Sequence, residues 1–201
     1  HLYAWFLYGL MTLQWAFEKD FLQLIRYHKN GLLKIQKRNF TNQMALLIFY
    51  KVIYYAYALV LPLIFLDNWW FVLIGYFTMH YTAGLILSIV FQCAHVMEPN
   101  DFNSPNESRV VYKNWFVHQL NTTCNFAMNS KLLSWFIGGL NFQIEHHLFP
   151  NICHIHYKKI SKIVQSTAQE FNVPYKSYKN MFSAVRSHYK FLKHLGSYNI
   201  A

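Results

Sequence analysis

The sequence predicts an all-α integral membrane protein, a transmembrane helical hairpin followed by a cytoplasmic helical C-terminal region. Two long apolar runs occupy residues 44–66 and 69–94. The 201 residues are 54% hydrophobic and only 13% charged, about half the charged share of a typical soluble domain. The net charge is +10, and the basic residues flank the apolar runs. This distribution favours anionic lipid head groups over nucleic acid as the partner.

The two apolar runs have the length of membrane spans. Residues 44–66 form a 23-residue run that contains one charge, Lys51, and would extend roughly 34 Å as a helix. We expect Lys51, near one end of the run, to extend toward the head groups. The Asp-Asn dipeptide at 67–68 predicts a tight turn between the two runs. The tryptophans at 69 and 70 suit the membrane interface. A buried hairpin of a large soluble protein is the alternative.

Charge sets the expected orientation and the organisation of the chain. Basic residues precede the first run and recur through the C-terminal tail, which places both on the cytoplasmic side. The sequence therefore predicts a membrane-surface segment at residues 1–40, two transmembrane helices within 44–94 and a cytoplasmic region at 95–201. Cys93, Cys124 and Cys153 have no C-x-x-C spacing, which predicts neither a disulfide framework nor a zinc finger.

The C-terminal region reads as a loop followed by helices. Residues 99–114 are polar and predict a loop, and residues 115–137 predict a helix against the membrane surface. Two amphipathic helices are expected after them. Their apolar faces would be formed by Ile160, Ile163, Val164 and Ala168 in residues 157–171, and by Phe182, Val185, Tyr189 and Leu192 in residues 180–195.

The stretch NFQIEHHLFP, residues 141–150, carries the strongest chemical signal. If residues 141–148 are helical, Gln143, His146 and His147 stand at i, i+3 and i+4 and share one face. Imidazole is a ligand for iron, zinc, copper and nickel, and a bound metal favours the neutral form of both rings. Glu145 falls off this face, and we expect it to orient a histidine or to pair with a lysine.

Other histidines are candidates of lower rank. His95 closes the second apolar run and could reach a site just outside the bilayer. His80 lies inside that run, where an ionisable residue is a functional candidate, although neutral histidine can also bridge helices. The sequence has no second dense histidine cluster, and the pair His154 and His156 is the only other candidate. Two or three nitrogen ligands do not complete a metal site.

Four stretches carry a resemblance to a known family. LNFQIEHHLFP is similar to the third histidine box of the membrane fatty-acid desaturases, in particular the front-end type, where Gln replaces the first His of H-x-x-H-H. FQCAHVMEPN resembles the segment after the fourth span, which carries one further iron-binding histidine. NWFVHQLNTTCNF and HIHYKKISKIVQSTAQEFNVPY resemble the flanking sequence of bacterial acyl-lipid or acyl-CoA desaturases.

The resemblance implies a site with two non-haem iron ions. It implies His95, His146 and His147 as iron ligands, and Gln143 as a weaker ligand that binds through water. The chain would be the C-terminal part of a single four-span desaturase domain, and its spans the third and fourth. The first two boxes, H-x-x-x-H and H-x-x-H-H, do not occur in the 201 residues. We therefore expect further ligands upstream of His1 and no activity from this chain by itself.

The resemblance also implies the reaction and its partners. The family uses O2 and electrons from an external donor, a ferredoxin or a haem protein, to remove two hydrogens from adjacent methylene carbons. The substrate would be a fatty acyl-CoA or an acyl-lipid, and membrane lipids would surround the protein. Apolar surfaces of the spans and of residues 126–142 are expected to line the acyl tunnel. The sequence does not give the double-bond position, the acyl carrier, the electron donor or the oligomeric state.

Three alternatives remain open from the sequence. A diiron lipid hydroxylase or a sphingolipid desaturase would share the metal and differ in its substrate or product. A zinc-dependent membrane hydrolase would need neither O2 nor electrons. A non-catalytic membrane protein would use His146 and His147 for packing alone.

Overall fold

The computed structural model describes residues 1–98 and 114–197. Nearly all of the predicted loop at 99–114 therefore lies outside the described residues. The chain divides into two compact units, which are considered separately: Leu2–Ser88 forms one, and Ile89–Ala201 together with His1 forms the other. Helices dominate both units, as the sequence predicts.

The first unit is entirely helical in the described residues. It contains α1 (Ala4–Gly9), α2 (Met11–Gln14), a π-helix (Trp15–Lys19), α3 (Asp20–Lys29), α4 (Leu32–Ile35), α5 (Phe40–Tyr55), a second π-helix (Ala56–Val60), α6 (Leu61–Phe65) and most of α7 (Trp69–His95).

Two of its helical stretches are long and apolar enough to cross a membrane. They are Phe40–Phe65, with 26 residues, and Trp69–His95, with 27 residues. The large apolar side chains of the first stretch face outward; Phe49, Ile53 and Phe65 are all exposed. Such a surface suits lipid rather than water. Two apolar helices are thus confirmed, and their pairing as a transmembrane hairpin stays a prediction.

Lys51, which the sequence predicts to extend toward the head groups, contacts the segment that precedes the first apolar run. Its ammonium group lies 2.8 Å from the carboxylate of Asp20 and donates to the backbone carbonyls of Trp15 (3.1 Å) and Ala16 (2.6 Å). Tyr55 donates a further hydrogen bond to the Ala16 carbonyl at 2.9 Å. The two carbonyls belong to the π-helix, where the wider turn alters the regular hydrogen-bond ladder. The charge of Lys51 is thus satisfied inside the first unit, and its extension toward the head groups stays a prediction.

His80 has a structural role in this unit. Its Nε2 lies 2.6 Å from the hydroxyl of Tyr54, and its Nδ1 lies 3.2 Å from the hydroxyl of Thr12. The Thr12 hydroxyl also donates to the His80 backbone carbonyl at 2.6 Å. The imidazole therefore joins α2, α5 and α7. This is the helix-bridging role that the sequence left open.

α1 and α7 meet at small residues. A Cβ at Gly9 would overlap the ring of Tyr81. A Cβ at Gly84 would stand 2.5 Å from the backbone oxygen of Gly9, so Gly84 tolerates no side chain without separation of the helices. One turn later, Ser88 donates a hydrogen bond to the Tyr8 carbonyl at 3.2 Å. Close backbone approach at small residues is a common way to pack helices in a membrane.

The second unit surrounds the end of α7. It contains α8 (Trp115–Thr122), β1 (Asn125–Phe126), α9 (Lys131–Phe136), α10 (Gln143–Leu148), a 3₁₀ turn (His154–His156), α11 (Tyr157–Glu170), β2 (Ser177–Tyr178) and α12 (Met181–Ser197). β1 and β2 pair in parallel, with Asn125 opposite Ser177 and Phe126 opposite Tyr178.

Two apolar clusters form the core of this unit. One joins the last turns of α7 to β1 and α12, through Val90, Cys93, Ala94, Met97, Phe126, Ala127 and Ala184. The other joins α8, α10 and α11, through Leu120, Ile144, Val164 and Ala168. α10, which carries the predicted metal ligands, is therefore held by the second cluster.

Several local predictions were wrong in detail. Residues 115–137, predicted to be helical, form α8, a strand and α9, because β1 pairs with a strand that lies about fifty residues later in the chain. Ile163 and Phe182, predicted on buried faces, are mostly exposed. The core of α12 instead uses small and polar residues, Ala184, Ser187 and His188. The partners of a helix, and not its periodicity alone, decide which face is buried.

The glycine contact predicts a selective effect on stability. Gly84→Ala should lower the free energy of unfolding by about 1–3 kcal/mol, because the added methyl group overpacks the backbone of α1. Gly75→Ala on the same helix is the matched control, since nothing lies within 4 Å of a Cβ there. It should be neutral or stabilising by up to about 1 kcal/mol through helix propensity. Thermal unfolding of both variants in detergent checks this, and equal midpoints would contradict it.

Candidate metal centre

α10 is fixed from several sides. It begins at Gln143, two residues after the expected start, and ends at Leu148. The amide of Ile144 donates to the side-chain oxygen of Asn125 at 2.9 Å, which ties the first turn to β1. The preceding Gly138 and Gly139 have positive φ angles of 60° and 74°. A Cβ at Gly139 would lie 2.7 Å from His154, so the tight entry into α10 requires glycine.

Three predicted ligands come together. The rings of His95 and His147 have centroids 4.9 Å apart, and those of His146 and His147 are 5.8 Å apart. His95 is the last residue of α7, whereas the other two lie on α10. The fold therefore joins residues separated by about fifty positions in the sequence, and their role as metal ligands stays a prediction.

Each of the three imidazoles is held by one neighbouring group. The Nδ1 of His147 lies 2.9 Å from the Oε1 of Gln119, and the Nδ1 of His146 lies 3.3 Å from the hydroxyl of Tyr157. His95 hydrogen-bonds to the backbone carbonyl of Thr122. An amide oxygen can only accept, so His147 carries its proton on Nδ1. Its Nε2 then has a free lone pair, as metal-ligating histidines need.

The electrostatics of the cluster favour the neutral form of His95 and His147. Burial, together with the nearby His95 and His146, lowers the pKa of His147 to about 4, and burial also lowers the pKa of His95. At neutral pH the His147 imidazole is therefore unprotonated, the form that binds a metal ion.

Gln143 is almost completely buried in the first turn of α10. Its Nε2 has no hydrogen-bond partner among the described residues. Buried polar atoms nearly always have a partner, so this side chain fits a site that holds a polar group or a water. The observation is compatible with its expected position beside a metal ion.

Glu145 has neither of the roles that the sequence suggested. It is fully buried, and its carboxylate accepts from the side-chain nitrogen of Asn125 (2.8 Å) and the hydroxyl of Tyr175 (2.8 Å). Asn125 also donates to the Tyr175 hydroxyl at 2.7 Å. Burial raises the pKa of Glu145, and the two donors oppose that shift. The carboxylate anchors α10 from behind and orients no histidine.

The cluster by itself does not make a complete metal site. Within residues 1–98 and 114–197, no group of three or more His, Cys, Asp or Glu side chains is arranged to hold a metal ion. The other histidine pair, His154 and His156, is exposed. The thiol of Cys153 lies 4.0 Å from the Nδ1 of His154. The residues present fit as a partial donor set.

Sequence reasoning missed the residues that hold the ligands. Gln119, Thr122 and Tyr157 lie on other elements and belong to no recognisable spacing with the histidines. Asn125 and Tyr175 share this difficulty, because their contacts to α10 bridge 20 and 30 positions. The only available signal was the polar character of NWFVHQLNTTCNF beside apolar helices.

An apolar cavity of about 780 Å³ adjoins this region. Its walls come from α8, the end of α10 and α11, and include Leu120, Leu148, Phe149, Val164 and Ala168. Leu148 and Phe149 directly follow His147 in the chain. The size and apolar lining are those of a site for a small hydrophobic ligand. The sequence had placed the apolar tunnel along the spans and residues 126–142.

Comparison with known proteins identifies the family. The fatty acid desaturase family model matches residues 1–179. The chain is 36% identical over 197 residues to the sn-1 linoleoyl-lipid 6-desaturase of Synechocystis sp., covering 96% of this chain and 54% of that protein. No solved structure matches the chain.

Two further relatives come from eukaryotes. The acyl-lipid (8-3)-desaturase of Physcomitrium patens is 36% identical, over 98% of this chain and 40% of its own length. The Delta(5) fatty acid desaturase A of Dictyostelium discoideum is 32% identical, over 98% of this chain and 43% of its own length. The chain thus spans about half the length of these relatives, or less. Together with the matched family model, they show that this chain belongs to the fatty acid desaturase family.

Proposed function

We propose that this chain contributes His95, His146 and His147 to the diiron centre of a front-end fatty acyl desaturase. The observation that carries the proposal is the cluster of three imidazoles, held by Gln119, Thr122 and Tyr157 in a chain of this family.

The chemistry explains why a metal centre is needed. Two iron ions, supplied with O2 and two electrons, would provide the oxidant for unactivated C–H bonds, which side-chain acids and bases cannot break. The chain's own residues position the site. Gln119 keeps the Nε2 lone pair of His147 available, and Tyr157 orients His146. Gln143 would contact the centre through water, with its amide as a hydrogen-bond donor.

Further ligands are required for this proposal. Three imidazoles and one carboxamide are too few for two iron ions, each of which needs several ligands. We propose that the remaining histidines come from outside these 201 residues, in agreement with the two boxes that the sequence lacks. By itself the chain would then be inactive.

The substrate is proposed to be a fatty acyl chain on a lipid or on coenzyme A. The relatives are named for acyl-lipid and fatty acid substrates, and the apolar cavity beside α10 has room for a hydrocarbon ligand. Its walls would exclude water from the acyl chain near the metal centre. Electrons would come from an external ferredoxin or haem protein.

The proposal places the protein in a membrane with the metal centre on the cytoplasmic side. The two apolar helices support the membrane location. The basic residues on both sides of these helices support the orientation by the positive-inside rule. His95, at the end of α7, would then lie just beyond the bilayer core.

Product analysis tests the reaction type. The full gene product that carries this sequence should be expressed in a yeast strain supplied with candidate fatty acids, and its lipids analysed by gas chromatography and mass spectrometry. A new double bond on the carboxyl side of an existing one supports the proposal. A hydroxylated chain without a new double bond would indicate a lipid hydroxylase, and a hydrolysed lipid together with bound zinc would indicate a hydrolase.

Loss of the imidazoles predicts a loss of iron. His146→Ala combined with His147→Ala should abolish desaturation and reduce bound iron, because both α10 ligands are removed. His156→Ala is the matched control, since that histidine is exposed on a neighbouring 3₁₀ turn. Iron per protein, measured by mass spectrometry of the purified full gene product, decides the matter. Unchanged iron and activity in the double variant would mean that these histidines only pack.

Two substitutions of Gln119 should weaken iron binding to different degrees. Gln119→Leu removes the acceptor at His147 Nδ1 and should weaken iron binding by about 10–100-fold, the usual effect of losing a group that orients a metal ligand. Gln119→Glu retains an acceptor and should keep most of the iron. Gln165→Leu on the exposed side of α11 controls for the loss of an amide. Bound iron, measured at increasing concentrations of added iron, gives the order of affinities of the variants. An equal loss of iron affinity in Gln119→Leu and Gln119→Glu would contradict the prediction.

A further inference from the structure

α9 carries an outward apolar face that the metal centre does not use. Leu132, Trp135 and Phe136 are 77%, 78% and 64% exposed. They stand at i, i+3 and i+4 and therefore share one side of the helix, here called the α9 face. Large apolar side chains grouped in this way usually mark an interaction surface.

The orientation of this helix is fixed by its other side. Leu133 and Ile137 pack against the cluster that contains Val90, Cys93 and Ala94 of α7. Ser130 caps the helix through the amide of Leu133. The α9 face therefore points outward because the opposite face is committed to the core, and a rotation of the helix would break these contacts.

The packing of α9 beside the end of α7 indicates the depth at which the α9 face would lie relative to a bilayer. Val90, Cys93 and Ala94 belong to the last two turns of a helix that is long enough to cross a membrane. Leu133 of α9 packs against the apolar cluster that these turns form with β1 and α12, so α9 lies near the end of the span. With α7 in the membrane as proposed, that level is the boundary between head groups and acyl chains.

Charge complements the apolar face. Lys131 and Lys158 line the same surface recess as Trp135 and Ile155, and both lysines are exposed. Ile155 is itself a mostly exposed apolar side chain. Tryptophan and lysine next to aliphatic groups are the combination found in segments that lie in the interface of an anionic membrane.

We infer that the α9 face inserts into the head-group boundary of an anionic bilayer and holds the C-terminal region at a fixed level there. Lys131 and Lys158 contact the lipid phosphates. Because α9 leads through Gly138 and Gly139 into α10, this anchor also sets the level of His146 and His147. The inference rests on the proposed membrane location of α7 and adds a second point of attachment.

Spin-label accessibility tests the inference in the full gene product, reconstituted into nanodiscs of phosphatidylcholine with phosphatidylglycerol. Cys153→Ser removes the exposed thiol, while Cys93 and Cys124 are buried. Labels are then placed through Trp135→Cys on the α9 face, Ala83→Cys within α7 and Gln165→Cys on the exposed side of α11. Leu132→Cys replaces Trp135→Cys if that variant fails to fold.

The expected result is a label at position 135 that is several-fold more accessible to dissolved oxygen than to a water-soluble nickel complex. The label at 83 should behave in the same way, and the label at 165 should show the opposite order.

A water-exposed label at 135 with a lipid-exposed label at 83 overturns the inference alone. A water-exposed label at 83 overturns the membrane location as well. A label at 135 that neither oxygen nor the nickel complex reaches would mean that a protein segment covers the α9 face. That result also overturns the inference.

The lysines are tested by lipid composition. Removing phosphatidylglycerol should make the label at 135 shallower, and Lys131→Gln combined with Lys158→Gln should abolish this dependence. Lys162→Gln combined with Lys190→Gln keeps the same net charge and should preserve it. Equal dependence in the two double variants overturns the role of Lys131 and Lys158.

Discussion

The side chain of Asn125 is the contact on which the geometry of the second unit depends. Its oxygen accepts from the first turn of α10, and its nitrogen donates to Glu145 and to Tyr175. A single fully buried amide thus joins β1, α10 and the segment before β2. Because the three bonds lie in a region closed to water, each would be costly to lose without replacement. The position of His146 and His147 follows from this anchor.

The three imidazoles on the other side of α10 are also paired with protein groups. One nitrogen of each imidazole is committed to a protein acceptor or hydroxyl, and burial keeps the pKa of His147 low. The three rings are therefore oriented, and that of His147 is neutral, before any ligand arrives. Preorganisation of this kind reduces what a bound metal must change in the protein. Behind the helix, Glu145 uses a charge for anchoring, where donors from two other segments surround it.

The first unit applies a related principle to apolar helices. Lys51 and His80 would be expensive if they faced lipid, yet both are satisfied by carbonyls, hydroxyls and one carboxylate of neighbouring helices. The π-helix at Trp15–Lys19 contributes carbonyls to Lys51. Polar contacts and the close approach of Gly9 and Gly84 therefore determine the packing of helices whose outer surfaces are uniformly apolar.

The sequence by itself determined the helical class, the two apolar helices and the spacing that sets Gln143, His146 and His147 on one face of α10. These are local properties, fixed by hydrophobic runs and by the 3.6-residue period. Only the tertiary structure decided what lies around that face. The meeting of His95 with His147, the hydrogen bonds from Gln119 and Tyr157, and the anchoring of Glu145 by Asn125 join distant segments without any periodic signal. Such contacts depend on how helices pack, and the identity of one residue does not disclose its partner twenty or more positions away.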